Sequence, residues 1–462
     1  MNILLSLLVI GLVGWMIIKK YKPQSVLIAA GLLLMLMAYF LGYADNFVPE
    51  KQRTGFIFFD MFEYLRRTTS KDLAGLGLTI MAVTGFAKYM DHIGASSSLV
   101  RLAMKPLSKV NAPYVIMAFS FLLCMTMALV ITSASGLAML TMVTIFPILT
   151  RLGISRLGAA SIVSTGHLID VGPSTATTIL VSQTANIPIM DYFINSQMPV
   201  YIVTGVCCAI THYFWQKYLD KKAMVAGTFV TGEVEMASDL EAKEGIAPPG
   251  PMIYALLPIV PLVLLLTCSD FGIKTVQLHV VTAMFISFTL ALLFELIRSR
   301  DLKKTFSGIQ SFLKGMGDQF VMTVSLIIAG ETFAYGLKMI GSVDALVNGS
   351  QALGINMYLI TLGFVAVIIF FCVVMGSGVA TMFAFAPIVP NVAKGLGAPM
   401  VPMLLVLQNA ASVGRLLSPI SAVNIAVCGI SGVAPFELIK RNSVPILVSL
   451  AVSTTMIFIR NF

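Results

Sequence analysis

Charged residues are scarce in this chain: they make up 11% of its 462 residues, whereas a soluble domain carries roughly 25%. So few charges cannot cover a surface that faces water on all sides. The six cysteines include no C-x-x-C pair, so the sequence indicates neither a disulfide framework nor a zinc site. No G-x-x-x-x-G-K-[ST] or H-E-x-x-H motif occurs, and the four histidines lack metal-ligand spacing. We therefore predict no catalytic residues, no metal ligands and no enzyme.

What the chain has in abundance is apolar sequence, at 58% of its residues. Runs of about the length that crosses a bilayer recur throughout. The lysines beside the first apolar run come after it, and no small-x-small cleavage site follows. We therefore expect this run to be retained as a membrane span and not to be a cleavable signal. The pattern predicts an all-α polytopic membrane protein, with apolar runs at 3–18, 26–42, 73–87, 113–131, 198–215, 252–268, 279–296, 319–337, 357–375 and 443–459.

The formal net charge of +9 comes from short basic clusters beside these runs. Basic clusters beside spans fix the orientation of a membrane protein, so nucleic acid is not predicted as a partner. The positive-inside rule places the clusters at 19–22, 88–109, 151–156, 217–222, 298–304 and 440–441 in the cytoplasm. Both termini are then expected on the outer side. Segments 56–67 and 302–315 have the amphipathic pattern of helices that lie along the membrane interface.

The two halves of the chain resemble each other across a polar segment, 219–250, that reads as a cytoplasmic linker. Phe86 matches Phe333 and Gly94 matches Gly341, both at an offset of 247, and Gly136 is paired with Gly378 at an offset of 242. With five crossings per half, the basic clusters require opposite polarity in the two halves. We therefore predict two inverted repeats, 1–218 and 251–462, a pattern typical of secondary transporters.

Each half contains one charge-free run that is too long for one span and short for two: 112–150 and 357–393. We expect each to form a re-entrant hairpin of two half-helices. A helix N-terminus at such a tip favours an anion, and glycine lets the backbone approach a ligand. The alternative is that these small residues serve only helix packing. The predicted tip residues are Ser133, Ser135 and Gly136, and Gly376, Ser377 and Gly378.

A second pair of interruptions, at 167–178 and 414–423, predicts two broken helices. The predicted substrate-binding residues here are Pro173, Ser174, Thr175, Arg415, Ser418 and Pro419. A buried arginine is costly in a bilayer and binds a carboxylate bidentately, so Arg415 is a candidate substrate clamp. The alternative is an ion pair with Asp170, which the repeat offset brings opposite Arg415.

His167 and Asp170 lie three residues apart on one helix face. They form either a protonation site that couples transport to H⁺ or a hydrogen-bonded pair that fixes the break. Glu331 is also expected to be buried; it either titrates or has a structural role, and the structural role is favoured because Glu331 lies outside both interruptions.

Seven segments together resemble the anaerobic C4-dicarboxylate carriers of the DcuC/DcuD type, within the wider ion-transporter superfamily, over nearly the whole chain: "GFAKYMDHIGA" (85–95), "ITSASGLAML" (131–140), "FPILTRLGISR" (146–156), "HYFWQKYLDKK" (212–222), "VMGSG" (374–378), "GRLLSPISAV" (414–423) and "PFELIKRNSVPILV" (435–448). The resemblance implies a bacterial inner-membrane carrier with an elevator-type scaffold and transport domain, usually a homodimer. The resemblance also leads us to expect apolar residues before the first interruption, and this chain has His167 and Asp170 there instead.

Together these features predict a secondary active transporter of small organic anions, with C4-dicarboxylates such as succinate, fumarate and malate as the first choice. Coupling to H⁺, to Na⁺ or to a counter-substrate is open, and Na⁺ is the one ion considered as a cofactor. The alternatives are a carrier for another carboxylate, such as a sugar acid or a monocarboxylate, and an anion channel.

Overall fold

The structure is a computed structural model that describes residues 2–104, 112–230, 248–342, 345, 349 and 356–461. All regular structure within these ranges is helical. Nine of the helices there have the length and apolar composition needed to cross a membrane. The chain is therefore a multi-pass helical membrane protein, as its composition predicts. Residues 231–247, which form most of the predicted linker, lie outside the described ranges.

In its described residues, the first half of the chain contributes nine helices besides a short 3-10 turn at Glu50–Gln52. They are α1 (Asn2–Ile18), α2 (Pro23–Phe40), α3 (Ile57–His92), α4 (Ala95–Met104), α5 (Pro113–Ala128), α6 (Ala134–Arg151), α7 (Arg156–Thr165), α8 (Ala176–Ala185) and α9 (Ile189–Val225). Helix α9 continues to Val225, so residues 219–225 of the predicted linker are helical.

The second half contributes eight helices in the part that is described. They are α10 (Met252–Thr267), α11 (Val280–Ser299), α12 (Leu302–Met339), α13 (Met357–Met375), α14 (Gly378–Leu396), α15 (Met400–Leu416), α16 (Ala422–Ser431) and α17 (Pro435–Asn461).

The two amphipathic segments are not separate elements. Each forms the first part of a single long helix, 36 residues in α3 and 38 in α12, that runs on into the following apolar segment. Each long helix widens to a π turn, at Leu73–Gly77 in α3 and at Phe320–Val324 in α12. Their position along the membrane interface stays a prediction, and the structure adds that each amphipathic segment continues as helix into the apolar segment that follows it.

Several local features recur at nearly the same spacing in both halves. The two π turns begin 247 residues apart, at Leu73 and Phe320. Gly94 and Gly341, also 247 apart, both adopt the left-handed backbone conformation, with φ of 71° and 72°. Ser133 caps α6 and Ser377 caps α14, at an offset of 244. The caps align Gly136 with Ala380, so the pairing of Gly136 with Gly378 is two residues out of register.

Apart from α1, which contacts both α2 and α13, the helices pack in two groups. The frame group consists of α2, α3, α4, α10, α11 and α12; within it, α12 packs along both α2 and α3. The tip group consists of α5–α9 and α13–α17, where α15 packs against α13 and α14, and α9 against α17. A buried ion pair between Asp220 and Arg441 joins these last two helices, so Arg441, which the sequence predicts on the cytoplasmic side, is buried against protein.

Each predicted interruption is present as a break between helices. Residues 129–133 separate α5 from α6, and Gly376 and Ser377 separate α13 from α14. Residues 166–175 and 417–421 separate α7 from α8 and α15 from α16. Helices α6, α13 and α14 have 18 or 19 residues and are long enough to cross the bilayer, so the same-side return of the hairpins stays a prediction.

Candidate anion-binding site

A cavity of about 310 Å³ lies where the two groups meet. The frame group lines it with residues of α3 and α12, and the tip group with the breaks and the helices that follow them. Its volume falls at the lower end of the range for small-molecule sites. The polar lining residues are Thr84, Thr132, Ser133, Ser135, Asp170, Ser174, Thr175, Thr177, Gln319, Thr323, Ser377, Arg415 and Ser421.

The N-termini of four helices converge on this cavity. Helices α6, α8, α14 and α16 begin at Ala134, Ala176, Gly378 and Ala422, and all four residues line it. The first N–H groups of a helix have no partner within the helix, and they carry the positive end of its dipole. Four such ends directed at one cavity make a site for an anion.

Serine side chains cap three of these four helices. Ser133 Oγ accepts the N–H of Gly136 at 3.1 Å, and Ser377 Oγ accepts that of Ala380 at 3.1 Å. Ser421 Oγ accepts the N–H of Asn424 at 3.3 Å. The fourth helix, α8, has no side-chain cap, because the Thr175 hydroxyl instead donates to the Gly172 carbonyl and to Thr178. Its first turn therefore remains open to a ligand.

Arg415, Asp170 and His167 meet at the edge of the cavity. Arg415 Nη2 lies 3.0 Å from Asp170 Oδ1, and it donates to the carbonyl of His167 at 2.5 Å. His167 Nδ1 lies 2.8 Å from the same Nη2 and 3.1 Å from Asp170 Oδ1. All three side chains are buried, which a bilayer tolerates when opposite charges are paired. The Nε of Arg415 is buried without a hydrogen-bond partner.

One face of α15 holds the first break in place. Gln408 Nε2 donates to the carbonyl of Asp170 at 3.0 Å and to Thr177 at 3.0 Å. Ser412 Oγ accepts the N–H of Asp170 at 3.1 Å. Together with Arg415, these residues follow the i, i+4, i+7 spacing of one helix face. The backbone N–H and C=O of Asp170 are thus both satisfied from the opposite half of the chain.

The glycines of the second tip are required by packing. A Cβ on Gly378 would lie 2.4 Å from the carbonyl oxygen of Ala411, and one on Gly376 would lie 2.9 Å from that of Ile420. Gly376 also has a φ of 69°, a left-handed conformation that glycine adopts without strain. The sequence-based interpretation that these glycines admit a ligand is therefore incomplete, since they also admit the backbone of the second broken helix.

Most of the predicted site residues come together. Of the fourteen, nine line the cavity: Ser133, Ser135, Asp170, Ser174, Thr175, Gly376, Ser377, Gly378 and Arg415. Five lie outside its lining: Gly136, His167, Pro173, Ser418 and Pro419. His167 contacts Arg415 and Asp170 behind the cavity, and the Ser418 hydroxyl donates to the carbonyl of Val373 at 2.7 Å.

Six polar lining residues were not among the predicted site residues: Thr84, Thr132, Thr177, Gln319, Thr323 and Ser421. Thr132, Thr177 and Ser421 lie within the predicted interruptions, and Ser421 is the cap of α16, so a search for helix starts after each break would have found it. Thr84, Gln319 and Thr323 lie on α3 and α12, whose relation to the tips depends on tertiary packing.

An anion cavity walled by helix N-termini inside a multi-pass bundle defines a membrane transport protein for small anions. The family model of the C4-dicarboxylate anaerobic carrier (DcuC) matches residues 1–461, and the chain belongs to this family. It is 35% identical over 452 residues to the anaerobic C4-dicarboxylate transporter DcuC of Escherichia coli O6:H1, covering 98% of this chain and 95% of that protein.

Two solved structures share the fold. MtrF of Neisseria gonorrhoeae, described within a class of antimetabolite efflux pumps, superimposes with a TM-score of 0.65 at 15% identity, covering 96% of this chain and 95% of the other. The YdaH transporter of Alcanivorax borkumensis superimposes with a TM-score of 0.60 at 14% identity, covering 95% and 98%. At these identities the likeness concerns the fold alone.

Proposed function

We propose that this protein is a secondary active transporter of C4-dicarboxylates such as succinate, fumarate and malate, and that the cavity is its substrate site. The observation that carries the proposal is the convergence of four helix N-termini. Each N-terminus is equivalent to about half a positive charge, so four together offer roughly two. That matches a dicarboxylate dianion. The paired charges of Arg415 and Asp170 cancel and leave this field in place.

Within this proposal, the two carboxylates are bound by the N–H groups of the four first turns and by nearby hydroxyls. Helices α6 and α14 begin at equivalent positions, as do α8 and α16, so the two pairs suit a short ligand with an acid at each end. Arg415 adds the unpartnered Nε to one end. The contacts of its Nη2 with Asp170 and His167 fix the orientation of the guanidinium. Arg415 can therefore pair with Asp170 and bind the substrate at the same time.

The proposal includes two inverted repeats and an elevator-type movement. The repeats are supported by the π turns, the left-handed glycines and the serine caps that recur at offsets of 244 to 247. The elevator is supported by the position of the cavity between the frame group and the tip group. In this mechanism the tip group carries the substrate across while the frame group stays fixed in the bilayer.

Several further parts of the proposal follow from the positive-inside rule and from the family. Both termini lie on the periplasmic side of the inner membrane, and the linker is cytoplasmic. The protein acts as a homodimer. Uptake is coupled to H⁺, Na⁺ or a counter-substrate, with His167 and Asp170 as candidate coupling residues beside the cavity.

The substrate class is tested with the purified protein. Thermal unfolding in detergent is measured with mono-, di- and tricarboxylates and sugar acids, with and without Na⁺. We expect succinate, fumarate and malate to raise the unfolding temperature. A shift produced by a monocarboxylate or a sugar acid alone would contradict the substrate class. In proteoliposomes, saturable uptake accelerated by internal dicarboxylate is expected of a carrier, whereas non-saturating conductance would indicate a channel.

The role of Arg415 is tested with variants that distinguish its ion pair with Asp170 from its contact with the substrate. Arg415→Gln alone leaves Asp170 buried without its partner, at a cost of about 3–5 kcal/mol. Arg415→Gln combined with Asp170→Asn removes both charges, so we expect a folded protein that binds dicarboxylate more weakly, because the contact from Arg415 is lost while the four helix N-termini remain. The matched control is Arg441→Gln with Asp220→Asn, which neutralises a buried pair outside the cavity and is expected to keep the full affinity. An unchanged dicarboxylate affinity in the first double variant would exclude the clamp.

A further inference from the structure

A second cavity, of about 430 Å³, lies farther along the same two frame helices. Residues of α3 and α12 form one wall, and α8 and α14 of the tip group form the other. The frame wall contains Asp72, Gly75 and Leu76 from α3 and Glu331 and Ala334 from α12. None of these residues lines the first cavity.

These five residues are the repeat equivalents of residues that line the first cavity. Gln319, Met322 and Thr323 of α12 lie 247 positions after Asp72, Gly75 and Leu76, and Thr84 and Ala87 of α3 lie 247 positions before Glu331 and Ala334. The same offset separates the two π turns. The frame group thus has two equivalent surfaces, one at each cavity.

We propose that the second cavity is the position at which the tip group and its dicarboxylate dock in the opposite transport state, and that protonation of Asp72 and Glu331 permits this docking. The inference rests on the proposed function, specifically on the inverted repeats and the elevator movement. In a protein with inverted repeats, the tip group meets equivalent surfaces of the frame group in the two transport states. We call the two frame surfaces the neutral station (Thr84, Gln319, Thr323) and the acidic station (Asp72, Leu76, Glu331).

Asp72 is the residue of the acidic station that most clearly lacks a binding partner. Its side chain is buried, with 3% of the residue exposed, and its Oδ2 has no hydrogen-bond partner. The nearest cation is Lys71, whose Nζ lies 3.9 Å from Asp72 Oδ1 and 3.6 Å from Glu331 Oε2. Lys71 is itself largely exposed, so it compensates both carboxylates weakly. A buried carboxylate oxygen without a partner is costly, and a proton removes that cost.

The net charge of the acidic station explains what protonation of Asp72 and Glu331 would do. The ionisable groups that face the acidic station are Tyr64 and Lys71 on α3 and Tyr335 and Lys338 on α12, whereas α8 and α14 contribute only neutral residues. With both acids ionised, the two lysines are balanced and the station is neutral. With both acids protonated, it carries two positive charges, which complement a dianion. On the proposed orientation this station faces the outer side, so external acid would favour loading there.

The two stations are distinguished by cysteine cross-linking in a variant whose six native cysteines are replaced. Val379 and Thr323 line the same cavity, so Cys at both positions should be joined by a short bifunctional thiol reagent. Their repeat equivalents are Ser135 and Leu76, which line different cavities. We expect Ser135→Cys with Leu76→Cys to cross-link as well, through the opposite state, and each cross-link to stop uptake until it is reduced.

Failure of this inference is distinguishable from failure of the proposed function. If dicarboxylate uptake is normal and Val379→Cys with Thr323→Cys cross-links, but Ser135→Cys with Leu76→Cys never does, the second station is wrong and the substrate assignment stands. If no dicarboxylate is bound or transported, the proposed function itself fails.

The acid requirement is tested by external pH. Lowering it from 8 to 6 is expected to lower the apparent KM for uptake roughly tenfold, because the carboxylates that face the dianion lose their charge. Asp72→Asn combined with Glu331→Gln should make KM independent of pH. Glu63→Gln changes a half-buried acid of α3 that lies outside the cavity lining and pairs with Arg66; this variant is the control and should keep the pH response. A double variant with an unchanged pH response, or a KM that follows Na⁺ instead, would overturn the assignment.

Discussion

The two halves of the anion cavity have the same backbone plan and different side-chain chemistry. In each half a helix ends at a break, a serine caps the helix that follows, and two helix N-termini point at the cavity. In the first half the break between α7 and α8 is ten residues long and carries Asp170; in the second half it is five residues long and follows Arg415. The first break is held by side chains of α15, whereas the second tip is held by glycine packing. Backbone geometry is thus the shared part, and the polar side chains are the part that differs.

This difference predicts unequal responses to the same substitution in the two tips. Gly378→Ala places a methyl group 2.4 Å from the backbone oxygen of Ala411, which cannot move aside without shifting α15. We expect the largest effect here, a loss of roughly 3 kcal/mol or of the folded protein. Gly136→Ala meets only the Ser133 side chain, at 3.0 Å, and should cost less than about 1 kcal/mol. Thermal unfolding in detergent compares them, and equal shifts would contradict the packing argument.

The hydrogen bonds from α15 should matter for the first break alone. Gln408→Leu keeps the approximate volume but leaves the carbonyl of Asp170 and the hydroxyl of Tyr192 without their partner. A buried polar group without a partner costs about 1–3 kcal/mol, so we expect a loss of roughly 2 kcal/mol and weaker dicarboxylate binding. Gln408→Glu, which retains the acceptor for Tyr192, should recover part of the stability. Unchanged binding in Gln408→Leu would show that α8 is positioned by other contacts.

The serine caps should respond alike in the two halves. Ser133→Ala and Ser377→Ala each remove one hydrogen bond of 3.1 Å at a helix start, so each is expected to cost about 1 kcal/mol. Thermal unfolding of the two single variants and of the double variant measures this, and the losses should add. A much larger effect at one tip would mean that its serine does more than cap the helix, and dicarboxylate affinity would then separate ligand contact from stability.

The sequence predicts the fold class and the positions of the breaks well, because both depend on local chemistry. Apolar runs, prolines and glycines act through hydration and backbone geometry, which need no knowledge of the partner segment. Ser133 and Ser377 were identifiable for the same reason. Gln408 also left a trace: "QNAASVGR" (408–415) brings polar side chains into an apolar helix at one-face spacing, a signal that would have located the support of the first break.

By itself, the sequence determined that the chain is a helical membrane protein with two helix breaks in each half, since hydrophobicity and helix breaking are properties of neighbouring residues. It also placed a buried arginine and a buried acid close to those interruptions. Only the tertiary structure decided that four helix N-termini share one cavity, that Arg415 contacts Asp170, and that Gln319 and Thr323 face the tips. These relations join segments up to 288 residues apart, from Ala134 to Ala422, and they arise from packing across the two halves, which no local pattern encodes.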